Sequence, residues 1–218
     1  MMAVTSVRTV GELEGAYVLA PERYDPRREL EARRAMVPLR TLVNSVRRTV
    51  SVSRSDSSSC VVLDTGDARE GVVVNRKPAV TLADIGSNKK IPEPGDVIIS
   101  RLRPYLRQVA FVDRKVRFLE DGVRLLCSTE FFVLRPADSQ PIAFLVPFLL
   151  SRGVQAVLAA AQEGGHHPRF NETTLLGLPV PKSLVDRRKE LSGDVERAVA
   201  LFRQSEQALI NLIDAAEE

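Results

Sequence analysis

Eight positions near the C-terminus, Leu191, Val195, Ala198, Phe202, Ser205, Leu209, Leu212 and Ala216, recur at intervals of 4, 3, 4, 3, 4, 3 and 4 residues. An α-helix turns once every 3.6 residues, so this spacing gathers them into one stripe, the a/d seam of a coiled coil. From Asp186 onward the chain therefore reads as one long helix. At about 1.5 Å per residue it runs ~45 Å, too long to lie wholly on a domain of this size, so the seam predicts a partner. The alternative is an amphipathic helix folded back on its own domain.

The residues before this helix carry a different period. Val97-Ile98-Ile99 opens an apolar run, and the residues after it alternate so that Arg101 and Arg103 share one face. Pro104, which lacks the N–H a sheet ladder needs, breaks the run. Leu106 to Val112 resumes with period two, placing Arg107 on the side of Val109 and Phe111, and Leu126 to Leu134 is a third β-branched and aromatic run. Gly95 to Pro136 thus reads as three strands. Between the first two lies a hairpin tip that holds Arg101, Arg103, Tyr105 and Arg107, an unusual tip for a merely structural turn.

On either side the signals are shorter. Val4 to Leu19 has weak strand or irregular character, Tyr24-Asp25-Pro26 marks a turn, and Arg27 to Arg34 reads as a short helix start. Pro38 to Val46 has helical spacing, with Leu39, Leu42, Val43 and Val46 on one side. Ser51 to Ser59 is a Ser-rich loop, Cys60 to Leu63 and Val72 to Val74 are short strands, and Asp64 to Asp67 is a turn. Asn75, Arg76, Asn88 and Lys89 lie on polar, basic loops, with side chains suited to base edges and phosphates. Pro141 to Ala161 is the most apolar stretch and predicts one or two helices packed on the sheet, with Gly153 as a break. Gln162 to Phe170 is a Gly-rich loop carrying His166, His167 and Arg169, and Asn171 is a good N-cap for a last short helix. The expected fold class is α+β: a β-rich mixed domain with packed helices over residues 1–182, then a coiled-coil-type helix over 183–218.

Charge narrows the function classes. Residues 1–118 hold 21 Lys or Arg against 14 Asp or Glu, and residues 119–218 hold 10 against 14, so the overall +3 conceals a basic part of +7 and an acidic part of −4. A basic head on an acidic helical tail predicts a polyanion partner on one side and a protein partner on the other. No apolar run reaches the roughly 18 residues of a membrane span, and Cys60 and Cys127 lack metal-type spacing, so reduced thiols in a cytoplasmic protein are expected. Adjacent His166 and His167 cannot both easily face one metal, and Gly164-Gly165 lacks the Gly-Lys-Ser/Thr ending of a nucleotide loop. Asp96 with Asp113 and Lys115 loosely imitates the Mg²⁺ site of restriction nucleases, which keeps that enzyme class open as an alternative.

Taken in order, Gly95-Asp96, Ser100 to Arg107, Cys127 to Pro136, Gly164 to Arg169 and Leu178 to Pro181, followed by the long helix, resemble a target-recognition domain from the specificity subunit of Type I restriction-modification systems. The resemblance implies a non-catalytic subunit that reads double-stranded DNA and directs a DNA methyltransferase (modification) subunit. S-adenosylmethionine is then expected in that partner, with no cofactor or metal in this chain. It also implies that the long helix is a spacer arm, with Leu191, Val195, Ala198, Phe202, Leu209 and Leu212 facing a partner. A full specificity subunit has two recognition domains and two arms, whereas this chain has one of each. That departure implies a half-subunit pairing with a second copy or a second half. The expected DNA contacts are Arg101, Arg103, Tyr105 and Arg107, then Asn75, Arg76, Asn88, Lys89, His166, His167 and Arg169; the alternative for Arg101 and Arg103 is an ion pair with Glu130 or Asp113 inside the sheet. The rival from another class is a helical assembly or adaptor protein that reads no DNA.

Overall fold

Continuous apolar runs in this chain become strands buried on both faces. The computed structural model describes residues 7–13, 19, 36–50, 57–74, 77–114, 122–165 and 168–217. Its strands are β1 (Met36–Pro38), β2 (Val43–Ser45), β3 (Thr49–Val50), β4 (Ser59–Leu63), β5 (Ala68–Arg69), β6 (Val72–Val73), β7 (Val80–Thr81), β8 (Lys89–Lys90), β9 (Val97–Ser100), β10 (Val109–Phe111), β11 (Arg124–Cys127), β12 (Phe131–Pro136) and β13 (Pro179–Pro181). The helices are α1 (Leu145–Leu150), α2 (Arg152–Ala160), α3 (Glu172–Leu176), α4 (Lys182–Asp186) and α5 (Arg188–Glu217). An antiparallel sheet of order β10-β9-β12-β2 lies beside a mixed sheet of order β3-β8-β11-β4-β7, in which β11 and β4 run parallel. The pairs β1-β13 and β5-β6 form two further two-stranded sheets.

Side-chain alternation sorts the core into layers. Val97 and Ile99 of β9, Val109 and Phe111 of β10, and Phe132 and Leu134 of β12 pack with Leu145, Phe148, Leu149, Val154 and Leu158 of the helices. Their neighbours Ile98, Ala110, Phe131 and Val133 face the other way, onto Val61, Leu63, Leu125 and Cys127 of the second sheet. The far face of that sheet carries Cys60 and Leu126 under Leu82 and Ile85. The two cysteines thus occupy opposite faces of one sheet, both as free thiols, and burial pushes the Cys127 thiol up to about 12.

Several expectations need correction. Pro38 to Val46 is no helix: it runs from β1 through a 3-10 turn at Leu39–Thr41 into β2. Its apolar residues still reach the core, but the β-branched Val43 pairs with Pro136 at the edge of β12, and nine residues are too few to sustain a helix against that pairing. Leu126 to Leu134 is not one strand. It ends β11 in the second sheet, turns at Ser128 to Glu130, and begins β12 in the first. Lys89–Lys90, expected in a loop, is the strand between β3 and β11. The break between α1 and α2 falls at Ser151, whose Oγ accepts from Val154 N, and Gly153 lies inside α2. Asn171 caps α3 through Oδ1, which accepts from Thr174 N at 2.8 Å. The readings of Tyr24 to Pro26, Arg27 to Arg34 and half of Val4 to Leu19 lie outside the described residues.

The β5-β6 hairpin closes on Glu70 and Gly71, both at positive φ (44° and 108°), the primed turn that matches strand twist. Gly71 N donates to Val109 O and Phe111 N to Gly71 O, so the turn adds to the edge of β10. A Cβ on Gly71 would meet Val146 Cγ1 at 3.2 Å. Gly71→Ala is therefore expected to cost about 1 kcal/mol, read as a lower urea midpoint at unchanged slope.

The long helix α5 is present, and it lies along the head for much of its length. Ser192, Val199, Arg203 and Ile210 are buried, while Leu191 and Val195 pack against the main core. Ser192 Oγ accepts from Phe144 N, and Arg188 donates to Asp138 and to the carbonyls of Pro141 and Gln140. The seam is thus divided: its first two members face the head, and Phe202, Leu209 and Leu212 are exposed together with Leu201 and Ile213, as is Ala198. No helix among the described residues is long and apolar enough to cross a membrane.

Candidate nucleic-acid interface

The connection from β9 to β10 is a rigid turn. Pro104–Leu106 forms one 3-10 turn, flanked by Arg103 (φ 43°, ψ 67°) and Arg107 (φ 53°, ψ 38°), both left-handed. An L-residue with a side chain pays about 1–2 kcal/mol for that conformation. Closure from several directions holds it: Leu106 N donates to Arg103 O, Arg107 N to Pro104 O, Ser100 N to Gln108 O and Arg101 N to Glu130 O. Pro104 is buried beneath the turn, whereas Arg103, Tyr105 and Leu106 face solvent. The period-two continuation expected for Arg101 and Arg103 ends at Ser100, because the chain leaves the ladder there.

The arginines of this region play different parts. Glu130, in the turn between β11 and β12, holds two of them: Oε2 accepts from Arg101 Nε at 2.7 Å, and its two oxygens accept from Arg169 Nε at 3.0 Å and Nη2 at 2.9 Å. The Arg169 hydrogen bonds, working against burial and aided by Arg101, hold the carboxyl down at about 2. Phe170 N donates to Arg101 O, and Leu102 and Arg169 form a β-bridge, so the Gly-rich loop is laced to the hairpin tip. Arg107 is committed elsewhere. Its Nε donates to Glu70 Oε1 at 2.7 Å and its Nη1 to Leu150 O at 3.0 Å, tying the tip to the β5-β6 turn and the end of α1. No ion pair of Arg103 occurs among the described residues.

A second group of charges adjoins the first. Arg47, after β2, pairs with Glu172 at the start of α3. Burial would raise the Glu172 carboxyl, but the nearby Ser45 hydroxyl and the Arg47 guanidinium outweigh it and bring it below its ordinary value. Lys90 is buried, donates to Phe131 O at 2.7 Å and lies 5.6 Å from the centre of the Phe132 ring. Burial pushes its ammonium down, with Arg101 and Arg47 adding to that push and Glu172 opposing it. Arg47, Lys90, Arg101 and Arg169 thus share a neighbourhood in which Glu130 and Glu172 are the carboxylates that pair with the arginines. Asn88 is exposed and Lys89 Nζ donates to Ser87 Oγ, on the strand that pairs with β3 just after Arg47 and Arg48.

Sequence reading names Arg101, Arg103, Tyr105, Asn88, Lys89 and Arg169, but does not single out Arg47 or Glu172. Arg47 and Glu172 are 125 residues apart, a pairing no local pattern announces. Asn75, Arg76, His166 and His167 lie outside the described residues, as does Lys115. The nuclease alternative loses its carboxylates: Asp96 is buried and accepts twice from Arg135, at 3.0 and 2.8 Å, while Asp113 pairs with Arg203 of α5 at 3.0 Å. Two aspartates directed at arginines on different elements do not form a shared metal site. No group of three or more metal-ligating side chains occurs among the described residues.

No family model matches the sequence, and no curated protein matches it. Among solved structures, the chain is similar to one from a study of complex assembly and conformational transition in the type I R-M system. Their TM-score is 0.57 and identity 21%, over 83% of this chain and 45% of that one. It is also similar to the HsdS subunit from Thermoanaerobacter tengcongensis, with TM-score 0.52 and 20% identity over 83% of this chain and 47% of that one. The likeness is one of fold, and this chain spans about half the length of either neighbour.

Proposed function

We propose that this chain is a sequence-specific DNA-reading subunit that directs a partner DNA methyltransferase or restriction complex to its target. The observation that carries this reading is the shared fold with an HsdS subunit, and the exposed turn bearing Arg103 supports it. Residues 1–182 serve as the recognition head and 183–218 as the spacer arm. This head and arm pair with a second copy or a second half through the exposed apolar residues of α5. The chemistry belongs to the partner, which supplies S-adenosylmethionine, so this subunit is non-catalytic and works in the cytoplasm. The exposed Leu201, Leu209, Leu212 and Ile213 favour a second reading, a helical adaptor without DNA readout.

Salt-dependent binding to random duplexes separates the two, since phosphate contacts release counterions and an adaptor has none to release. Selection from a random DNA pool then yields the target. Within the head, Arg103→Gly is the cleanest probe. Glycine adopts a φ of 43° without a Cβ clash, so stability should stay within about 1 kcal/mol of the parent. Duplex affinity should fall about three- to tenfold, and the slope of log K against log salt should flatten by about 1. Unchanged binding at every salt concentration would remove Arg103 from the interface.

A further inference from the structure

Two large apolar side chains stand in solvent on the turn from β9 to β10. Tyr105 is 69% exposed and Leu106 44%, whereas most large apolar residues of the strands and helices around them are buried. Folding does not explain their exposure: the turn is anchored by buried Pro104 and by Arg107, and neither Tyr105 nor Leu106 belongs to a core cluster. The turn is also cationic. Arg103 is exposed beside them, and the side chains of Arg101, Arg107 and Arg169 keep 35%, 40% and 39% of their surface.

What such a point can bind follows from its size and charge. A stable protein interface buries about 800 Å² per partner, far more than two side chains offer. A stacked base step needs only one or two apolar side chains to be prised open, and a phosphate beside it would meet Arg103. The left-handed conformations at Arg103 and Arg107 fix the turn before contact, so insertion orders little that is not already ordered. We infer that Tyr105 and Leu106 form a wedge that enters duplex DNA at one base step and unstacks it, while exposed Arg103 beside them holds a flanking phosphate. The inference rests on the DNA-reading function proposed above and assigns the tip a deforming role in addition to electrostatic grip. Part of the sequence preference would then come from how easily the step opens, with flexible pyrimidine–purine steps favoured.

The test uses the full chain and a pool-selected duplex in which 2-aminopurine replaces successive adenines. With the parent protein, fluorescence should rise severalfold at one position only. Leu106→Ala and Tyr105→Ala, which remove exposed atoms and spare the core, should abolish that rise and weaken binding about tenfold. Their salt slope should stay that of the parent, because no phosphate contact is lost. A parent protein that binds the duplex with no rise at any position overturns the wedge and leaves DNA reading intact, as does a double Ala variant that keeps the rise. Absence of any duplex binding by the parent overturns the proposed function and the wedge with it.

Discussion

Arg203→Ala should lower folding stability by about 3 kcal/mol, measured as a shift in urea midpoint, and should release the distal part of α5 from the head. Arg203 is only 6% exposed, yet its guanidinium carries a full charge. It meets Asp113 Oδ2 through Nε at 3.3 Å and Nη2 at 3.0 Å, and its Nη1 reaches Val73 O at 2.8 Å and Glu206 Oε2 at 3.1 Å. Removing one partner of a buried pair costs about 3–5 kcal/mol, because the other charge stays behind in a poor solvent for it. The low end applies here, since Asp113 makes a further interaction of its own. The origin of the cost can be checked separately. Replacing both members, Arg203→Met with Asp113→Leu, should recover much of the loss, since a well-packed apolar pair is close to neutral against a buried ion pair. A loss below about 1 kcal/mol for Arg203→Ala would mean that apolar contacts alone seat the helix. Faster amide exchange in residues beyond Arg203 would report its release.

The second large effect should come from Glu130→Gln, at about 2 kcal/mol near neutral pH. In the folded protein the Glu130 carboxyl is held at about 2 by Arg169 and Arg101, against an ordinary 4.5. A shift of that size corresponds to at most about 3 kcal/mol. Screening at guanidiniums 35% and 39% exposed brings this to about 2 kcal/mol. A depressed carboxyl stabilises the fold above its unfolded value and stops doing so as pH falls through its folded value. The stability gap between parent and Glu130→Gln should therefore be full above about pH 4.5, shrink between 4.5 and 2, and close below about 2. A gap that stayed constant across that window would show that the substitution costs shape and not charge. The same substitution removes a negative charge beside Arg101 and Arg169, so non-specific duplex binding should tighten, with a steeper salt slope.

Much of the layered core was legible because β-strand side chains alternate: Val97, Ile98 and Ile99 already spell a strand with both faces buried. The reading failed where burial and local period disagree. Leu39, Leu42 and Val43 have the spacing of a helix face and do reach the core, but through a 3-10 turn and a strand paired to Pro136. At Ser128 to Glu130 the chain changes sheets inside what looks like one apolar run, and that turn places Glu130 between the two arginines. The polar Ser128-Thr129-Glu130 interrupts the run, but nothing in the order of residues says that the next strand joins another sheet.

By itself the sequence determined periodicity, the long C-terminal helix and the concentration of arginine and tyrosine at one turn, because each depends on residues within a few positions of one another. Only the tertiary structure decided which arginines are committed and which reach out. Glu130 lies 29 residues from Arg101 and 39 from Arg169, Asp113 lies 90 from Arg203, and Arg107 is spent on a turn 37 residues earlier. Pairing of charges depends on distance through space and on the water excluded around them, and neither quantity exists until the strands have been stacked and the helix laid across them.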